Sequence, residues 1–264
     1  MLERLRLEFF SGLAALGLLS RIPVAHFAGC IAGVHRRRAA IYYPWVGLLI
    51  GVLLAFFAWL LPGTWSPILQ AALLLTAWVR LTGALHLDGL ADSADGWVGG
   101  MGCRRRTLAI MREPNVGPAA VVALILVLLL KLALLAQGLE CVGGWGILLV
   151  PALARAWLLP LLGSTAYVRG AAEAGMAAEI AAVFPARAAA ISFALIQAVA
   201  LLLALGTAFG VWGWLLGNFF ALLLGFWLRR AWRRRLGGYT GDLLGAFVEL
   251  QELVWLLALV LILC

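Results

Sequence analysis

Read for polarity alone, the chain alternates long apolar runs with short polar segments rich in arginine. Seven runs approach or reach the ~20 residues an α-helix needs to cross about 30 Å of hydrocarbon, at 41–61, 66–85, 116–137, 143–163, 188–208, 211–230 and 246–263. Each has turn-forming Gly or Pro close by. The run at 5–20 is shorter and is interrupted by Arg6 and Glu8. That pattern predicts a helix at the membrane interface, or a re-entrant piece, rather than a span. Neither an internal repeat nor a long hydrophilic linker divides the chain, so a single all-α polytopic membrane domain over 1–264 is expected.

Composition agrees with lipid as the main solvent. Hydrophobic residues make up 65% and charged residues 12%, about half the charged share of a soluble domain. The basic residues are distributed one-sidedly. Of 20 Lys and Arg, all but Arg80, Lys131 and Arg155 fall in the N-terminal 40 residues, in 86–115, in 164–187, or at Arg229–Arg235 where the sixth run ends. Cytoplasmic loops retain positive charge during insertion, so these segments are expected to face the cytoplasm, with the N-terminus inside and Cys264 outside. The same distribution accounts for the net charge of +8, and no basic soluble module of the kind that binds nucleic acid is present. Cys30, Cys103, Cys141 and Cys264 are scattered without a CxxC pair, indicating neither a zinc site nor a disulfide framework. Glu3, Arg4, Arg6 and Glu8 are unlike a cleaved signal sequence.

The chemistry concentrates in His86-Leu87-Asp88-Gly89-Leu90-Ala91-Asp92-Ser93-Ala94-Asp95-Gly96. If the second spanning helix continues through it, Asp88, Asp92 and Asp95 at i, i+4 and i+7 share one face. Like charges so placed repel, and a hard cation such as Mg²⁺, which joins carboxylates to substrate phosphates, would offset them. His86 falls nearly opposite Asp88 on an ideal helix and reads as a base or phosphate donor rather than a ligand. Arg104 to Asn115 reads as a short helix ended by Pro114, with Arg105 and Arg112 on one face as phosphate contacts; Arg112 is the stronger candidate, since Arg104 to Arg106 read equally as topology determinants on anionic lipid. A second polar island, Gly237-Gly238-Tyr239-Thr240-Gly241-Asp242, offers backbone N–H groups for phosphate at Thr240 and Gly241 and a further carboxylate, Asp242. Glu249, Glu252, Arg80, Lys131 and Arg155 lie within apolar runs, where charge is costly without a partner, and are expected to form a buried polar network.

Four stretches together resemble the cobalamin synthases, also called adenosylcobinamide-GDP ribazoletransferases: Arg21-Ile22-Pro23-Val24 with Tyr43-Pro44-Trp45-Val46-Gly47, Gly83 to Gly96, Met111 to Gly117, and Gly238 to Ala246. They occur in the family's order; only Glu113 and Pro114 depart from its usual residues. The resemblance implies a Mg²⁺-dependent inner-membrane transferase with its active site on the cytoplasmic side. It would join adenosylcobinamide-GDP to α-ribazole, or to α-ribazole 5′-phosphate, and release GMP. Asp88, Asp92, Asp95 and Asp242 would hold the metal, Arg112 and Arg105 would contact phosphate, and His86 or an Asp would take the hydroxyl proton. A homo-oligomer and contacts with other cobalamin-pathway proteins stay open. Two other readings compete. In prenyl or CDP-alcohol transfer, the CDP-alcohol pattern would need an Arg that does not occur before Arg104. In an ion-coupled permease, the carboxylates would more often sit at mid-membrane.

Overall fold

The computed structural model describes residues 2–31, 33–169 and 176–264. The chain is built of helices: α1 (Leu2–Leu19), α2 (Gly33–Arg38), α3 (Tyr43–Leu60), α4 (Pro67–Thr82), α5 (Leu85–Gly99), α6 (Arg104–Ile110), α7 (Pro118–Val142), α8 (Val150–Ala156), α9 (Leu158–Ser164), α10 (Met176–Ala182), α11 (Ala186–Leu205), α12 (Gly210–Arg235) and α13 (Gly241–Leu263). Among the described residues there is no strand, only an isolated bridge between Tyr167 and Tyr239. Six segments are long and apolar enough to cross a bilayer, namely Gly33–Leu60, α7, Gly144–Ser164, α11, α12 and α13; the bent pair α4 and α5 makes a seventh if counted as one broken span. The molecule is a multi-pass membrane protein. As expected of residues 5–20, α1 is not among the spans.

The predicted spans differ from the observed helices where local chemistry overrides apolar length. The run at 66–85 does not continue into the acidic segment. Gly83 and Ala84 both take left-handed backbone conformations, α4 ends there, and α5 leaves at 88° to it. Glycine adopts this geometry without penalty, and the space is needed too, because a Cβ on Gly83 would strike the Arg21 side chain. The run at 143–163 is not one helix but a 3₁₀ turn followed by α8 and α9. Pro160 lacks an N–H and crowds the carbonyl of Ala156, which explains the break at Trp157. α6 stops at Ile110, because a residue before proline disfavours the helical region and Glu113 precedes Pro114. Arg112 therefore lies beyond α6 and does not share a helical face with Arg105.

α13 begins at Gly241, five residues before the predicted 246, because Thr240 caps it: the Thr240 hydroxyl accepts from the Leu243 N–H at 3.3 Å. This helix is the centre of the bundle. It packs most extensively on α5 and α7, and then on α12 and α8. Leu243, Phe247, Val248, Trp255 and Leu256 are buried, whereas Leu257 and Leu261 remain exposed on its outer face. α7 turns Val121, Val122, Ile125, Leu126, Leu129 and Leu130 outward, as suits a lipid-facing helix.

One expectation about cysteine is overturned. Cys141, at the end of α7, and Cys264, just beyond α13, form a disulfide across 123 residues of sequence. The scattered spacing gave no hint of it, because the two helices bring their ends together only in three dimensions. Cys30 and Cys103 are free and exposed. Residues 170–175, within the loop expected at 164–187, lie outside the described residues.

Candidate active site

Two of the motif segments meet where α5 crosses the start of α13. A Cβ on Gly89 would lie 2.6 Å from the Asp242 carbonyl oxygen, and one on Gly245 would lie 3.2 Å from the His86 carbonyl. The missing side chains let the backbones touch, as small residues do at close helix contacts in membranes. The crossing brings Asp88 to Asp242 and leaves a cavity of about 280 Å³ beside them. Its polar lining comes from Tyr43, His86, Asp88, Tyr167, Arg169, Gly241 and Asp242, and its apolar wall includes Leu18 and Leu19 of α1, Leu158 and Leu162 of α9, and Ile180 of α10.

The four carboxylates proposed as ligands are not equivalent. Asp88 is exposed and Asp92 half-buried, and neither has a hydrogen-bond or salt-bridge partner among the described residues. Asp95 is occupied: its carboxylate accepts from the backbone N–H groups of Gly117 and, at 2.9 Å, Ala120. It thereby caps the positive end of α7. Asp242 accepts from Arg169 Nη2 at 2.7 Å and from the Thr240 hydroxyl at 3.3 Å. Among the described residues, no three His, Cys, Asp or Glu side chains are grouped to hold a metal. Mg²⁺, however, commonly takes only one or two carboxylates and completes its shell with substrate phosphate and water. Asp88 and Asp92, one turn apart with unengaged oxygens, suit that donor set; a cage of four aspartates does not describe the geometry.

In the sequence Arg169 reads only as one of the topology charges of 164–187. Nothing in its spacing ties it to Asp242, 73 residues away. It lines the cavity and supplies the guanidinium there. Arg112 and Arg105 are exposed on the α6 side, outside the cavity lining. The polar island at 237–242 does less for phosphate than its glycines imply. The Tyr239 N–H donates to the Ala166 carbonyl at 2.9 Å, and Thr240 is fully buried with its hydroxyl committed to the cap and to Asp242. Tyr239 packs edge-on to Tyr167 at 5.6 Å, and burial pushes its phenol up to about 12. Gly241 alone of that island, besides Asp242, faces the cavity.

Behind the cavity lies a buried polar network. Lys131 Nζ donates to Glu249 Oε2 at 2.6 Å and to Glu252; it also sits 5.0 Å from the Trp78 ring centroid. Arg155, with no exposed surface, donates to Glu252 Oε1 at 2.9 Å and to the Pro151 carbonyl at 3.0 Å. The two cations and two carboxylates balance. Arg80 is not part of it, being exposed and lining a separate cavity with Arg21. His86 joins instead. Its Nδ1 lies 3.3 Å from Arg155 Nη2, and because a guanidinium has no acceptor, Nδ1 must accept. The ring proton is thereby assigned to Nε2, a buried atom without a partner among the described residues. That makes His86 a hydrogen-bond donor beside Asp88, and the geometry disfavours the role of proton acceptor.

A helical bundle that crosses the bilayer, with the unengaged Asp88, an arginine and an imidazole donor around one cavity and Asp92 one turn further along α5, defines a membrane enzyme suited to an anionic substrate. The chain belongs to the cobalamin-5-phosphate synthase family, whose family model matches residues 11–260. It is 50% identical to the adenosylcobinamide-GDP ribazoletransferase of Pseudomonas paraeruginosa (strain DSM 24068 / PA7), over 94% of this chain and 97% of that one. It is 48% identical to the enzyme of the same name from Pseudomonas entomophila (strain L48), over 94% and 97%. No solved structure matches significantly.

Proposed function

We propose that the chain transfers the adenosylcobinamide-phosphate part of adenosylcobinamide-GDP to a hydroxyl of α-ribazole or α-ribazole 5′-phosphate, with GMP as the leaving group. The observation that carries this reading is the pair of unengaged carboxylates, Asp88 and Asp92, at the crossing of the two most distinctive family motifs. Asp88 and Asp92 would hold Mg²⁺, which offsets the charge on the diphosphate and its leaving group. Arg169 sits where it can exchange its bond to Asp242 for one to a phosphate oxygen. His86 Nε2–H has no acceptor among the described residues, and a diphosphate oxygen is one that such a substrate would supply. The hydroxyl proton passes to a carboxylate at the cavity rather than to the imidazole. At about 280 Å³ the cavity is at or below the lower end of small-molecule sites, so it admits the reacting end of the substrate and leaves the corrinoid outside.

The membrane is the cell inner membrane in this reading, with the cavity on the cytoplasmic side. Two observations support it: the one-sided arginines, and the Cys141–Cys264 disulfide, which would lie on the opposite, oxidising side.

The test is purified protein with adenosylcobinamide-GDP, α-ribazole and Mg²⁺, following GMP release and cobalamin formation. If the Asp88→Ala and Asp92→Ala variants make cobalamin as fast as wild type, the site assignment is wrong. Uptake of labelled substrate into vesicles without GMP release would favour a permease.

A further inference from the structure

At the end of α12 nearest Asp242, Arg229, Arg230, Arg233 and Arg234 line a basic depression of about 420 Å³ with Phe226. Positions 226, 229, 230, 233 and 234 follow helical spacing, so the arginines share one face. Arg229 is tied down: its Nη2 donates to the Ser164 carbonyl at 2.7 Å and its Nε to the Thr165 hydroxyl at 3.2 Å. Arg230, Arg233 and Arg234 are exposed, and none has a salt-bridge partner among the described residues. The acidic residues nearest to them in sequence, Asp242, Glu249 and Glu252, are paired with Arg169, Lys131 and Arg155. The lining of the depression thus concentrates positive charge, with no carboxylate in it among the described residues.

An apolar groove of about 140 Å³ adjoins it, lined by Trp157, Leu161, Leu222, Gly225 and Phe247. Phe226 and Arg229 line both, so the basic depression and the groove are continuous. Leu222 and Phe226 are exposed, and the groove lies along a spanning helix, open to lipid. Neither feature shares a lining residue with the acidic cavity.

We propose that the two form one binding site for an anionic glycerophospholipid of the surrounding leaflet. The headgroup phosphate lies among Arg230, Arg233 and Arg234, and an acyl chain lies in the groove over Gly225. Charge at the membrane boundary and an apolar slot running from it into the span match the two halves of such a lipid. A soluble phosphate compound would use only the first.

The test is native mass spectrometry on delipidated protein in neutral detergent, titrated with phosphatidylglycerol, with phosphatidylcholine, and with inorganic phosphate as competitor. Wild type is expected to prefer phosphatidylglycerol. The triple variant Arg230→Gln, Arg233→Gln, Arg234→Gln should weaken that binding on the order of 100-fold, at about 1 kcal/mol per basic residue near a membrane surface. A control triple of exposed residues, Arg4→Gln, Arg6→Gln, Arg37→Gln, should leave it unchanged. Gly225→Leu keeps every charge, fills the groove and should also weaken binding. Equal binding of phosphatidylcholine, equal loss in the control triple, wild-type binding by Gly225→Leu, or full displacement by millimolar inorganic phosphate would each overturn the proposal.

Discussion

The guanidinium of Arg155 lies 3.3 Å from His86 Nδ1 and 2.9 Å from Glu252 Oε1, so one buried arginine holds both the imidazole of α5 and a carboxylate of α13. The site and the bundle's charged interior are therefore one connected structure. His86 is left with Nε2–H as its one donor because Nδ1 is already committed to Arg155.

That assignment separates two substitutions. Glutamine places an amide N–H near the position of Nε2, and asparagine does not. His86→Ala and His86→Asn are expected to lower kcat about 10- to 100-fold, the worth of a hydrogen bond to a charged group at about 1.5–3 kcal/mol. His86→Gln should recover most of it. A Gln variant as slow as Ala would remove the donor role and return His86 to the list of bases.

Breaking the network should cost stability before it costs chemistry. Lys131→Met leaves Glu249 and Glu252 buried without their shared donor, and loss of one partner of a buried pair costs about 3–5 kcal/mol. Thermal unfolding in detergent should show a large drop in Tm. Adding Glu249→Gln to Lys131→Met removes the stranded charge and should restore much of it. If the double variant is no better than the single one, the carboxylate is not the source of the loss.

The aspartates should divide by role. Asp95→Ala removes a cap from α7, worth about 0.5–2 kcal/mol, and is expected to lower Tm while leaving the Mg²⁺ concentration for half-maximal activity unchanged. Asp88→Asn and Asp92→Asn should raise that concentration at least tenfold with little effect on Tm. A Mg²⁺ shift in Asp95→Ala as large as in Asp88→Asn would put Asp95 back among the ligands.

These distinctions mark what the sequence could carry. The spans were readable because apolar length is a one-dimensional property, and the acidic run because its spacing shares a helix face. The 88° bend was not readable, since Gly83-Ala84 carries no turn signature of its own. Arg80 was grouped with Lys131 because both lie in apolar runs, yet which side of a helix a cation takes depends on neighbours that only packing supplies. The same limit hid the commitment of Asp95 to the N–H groups at the start of α7, and Arg169's bond to Asp242.

Thiol labelling tests the orientation. In intact cells a membrane-impermeant maleimide that reaches the outer face of the inner membrane is expected to label Cys141 and Cys264 only after reduction. Cys30 and Cys103, free in the structure, should react only once the inner membrane is opened. Labelling of Cys103 from outside without opening would invert the topology.

The balanced quartet of Lys131, Arg155, Glu249 and Glu252 also bears on how the protein is made. Lys131 and Arg155 enter the membrane 118 and 97 residues ahead of the carboxylates they pair with. A lone charge at the centre of a spanning helix costs about 2.5–3.5 kcal/mol during insertion. Until α13 is synthesised, α7 and α8 each carry that cost unrelieved, and α13 alone would carry it twice. Packing against α13 pairs all four charges, so that cost is relieved only once the last helix has joined the bundle.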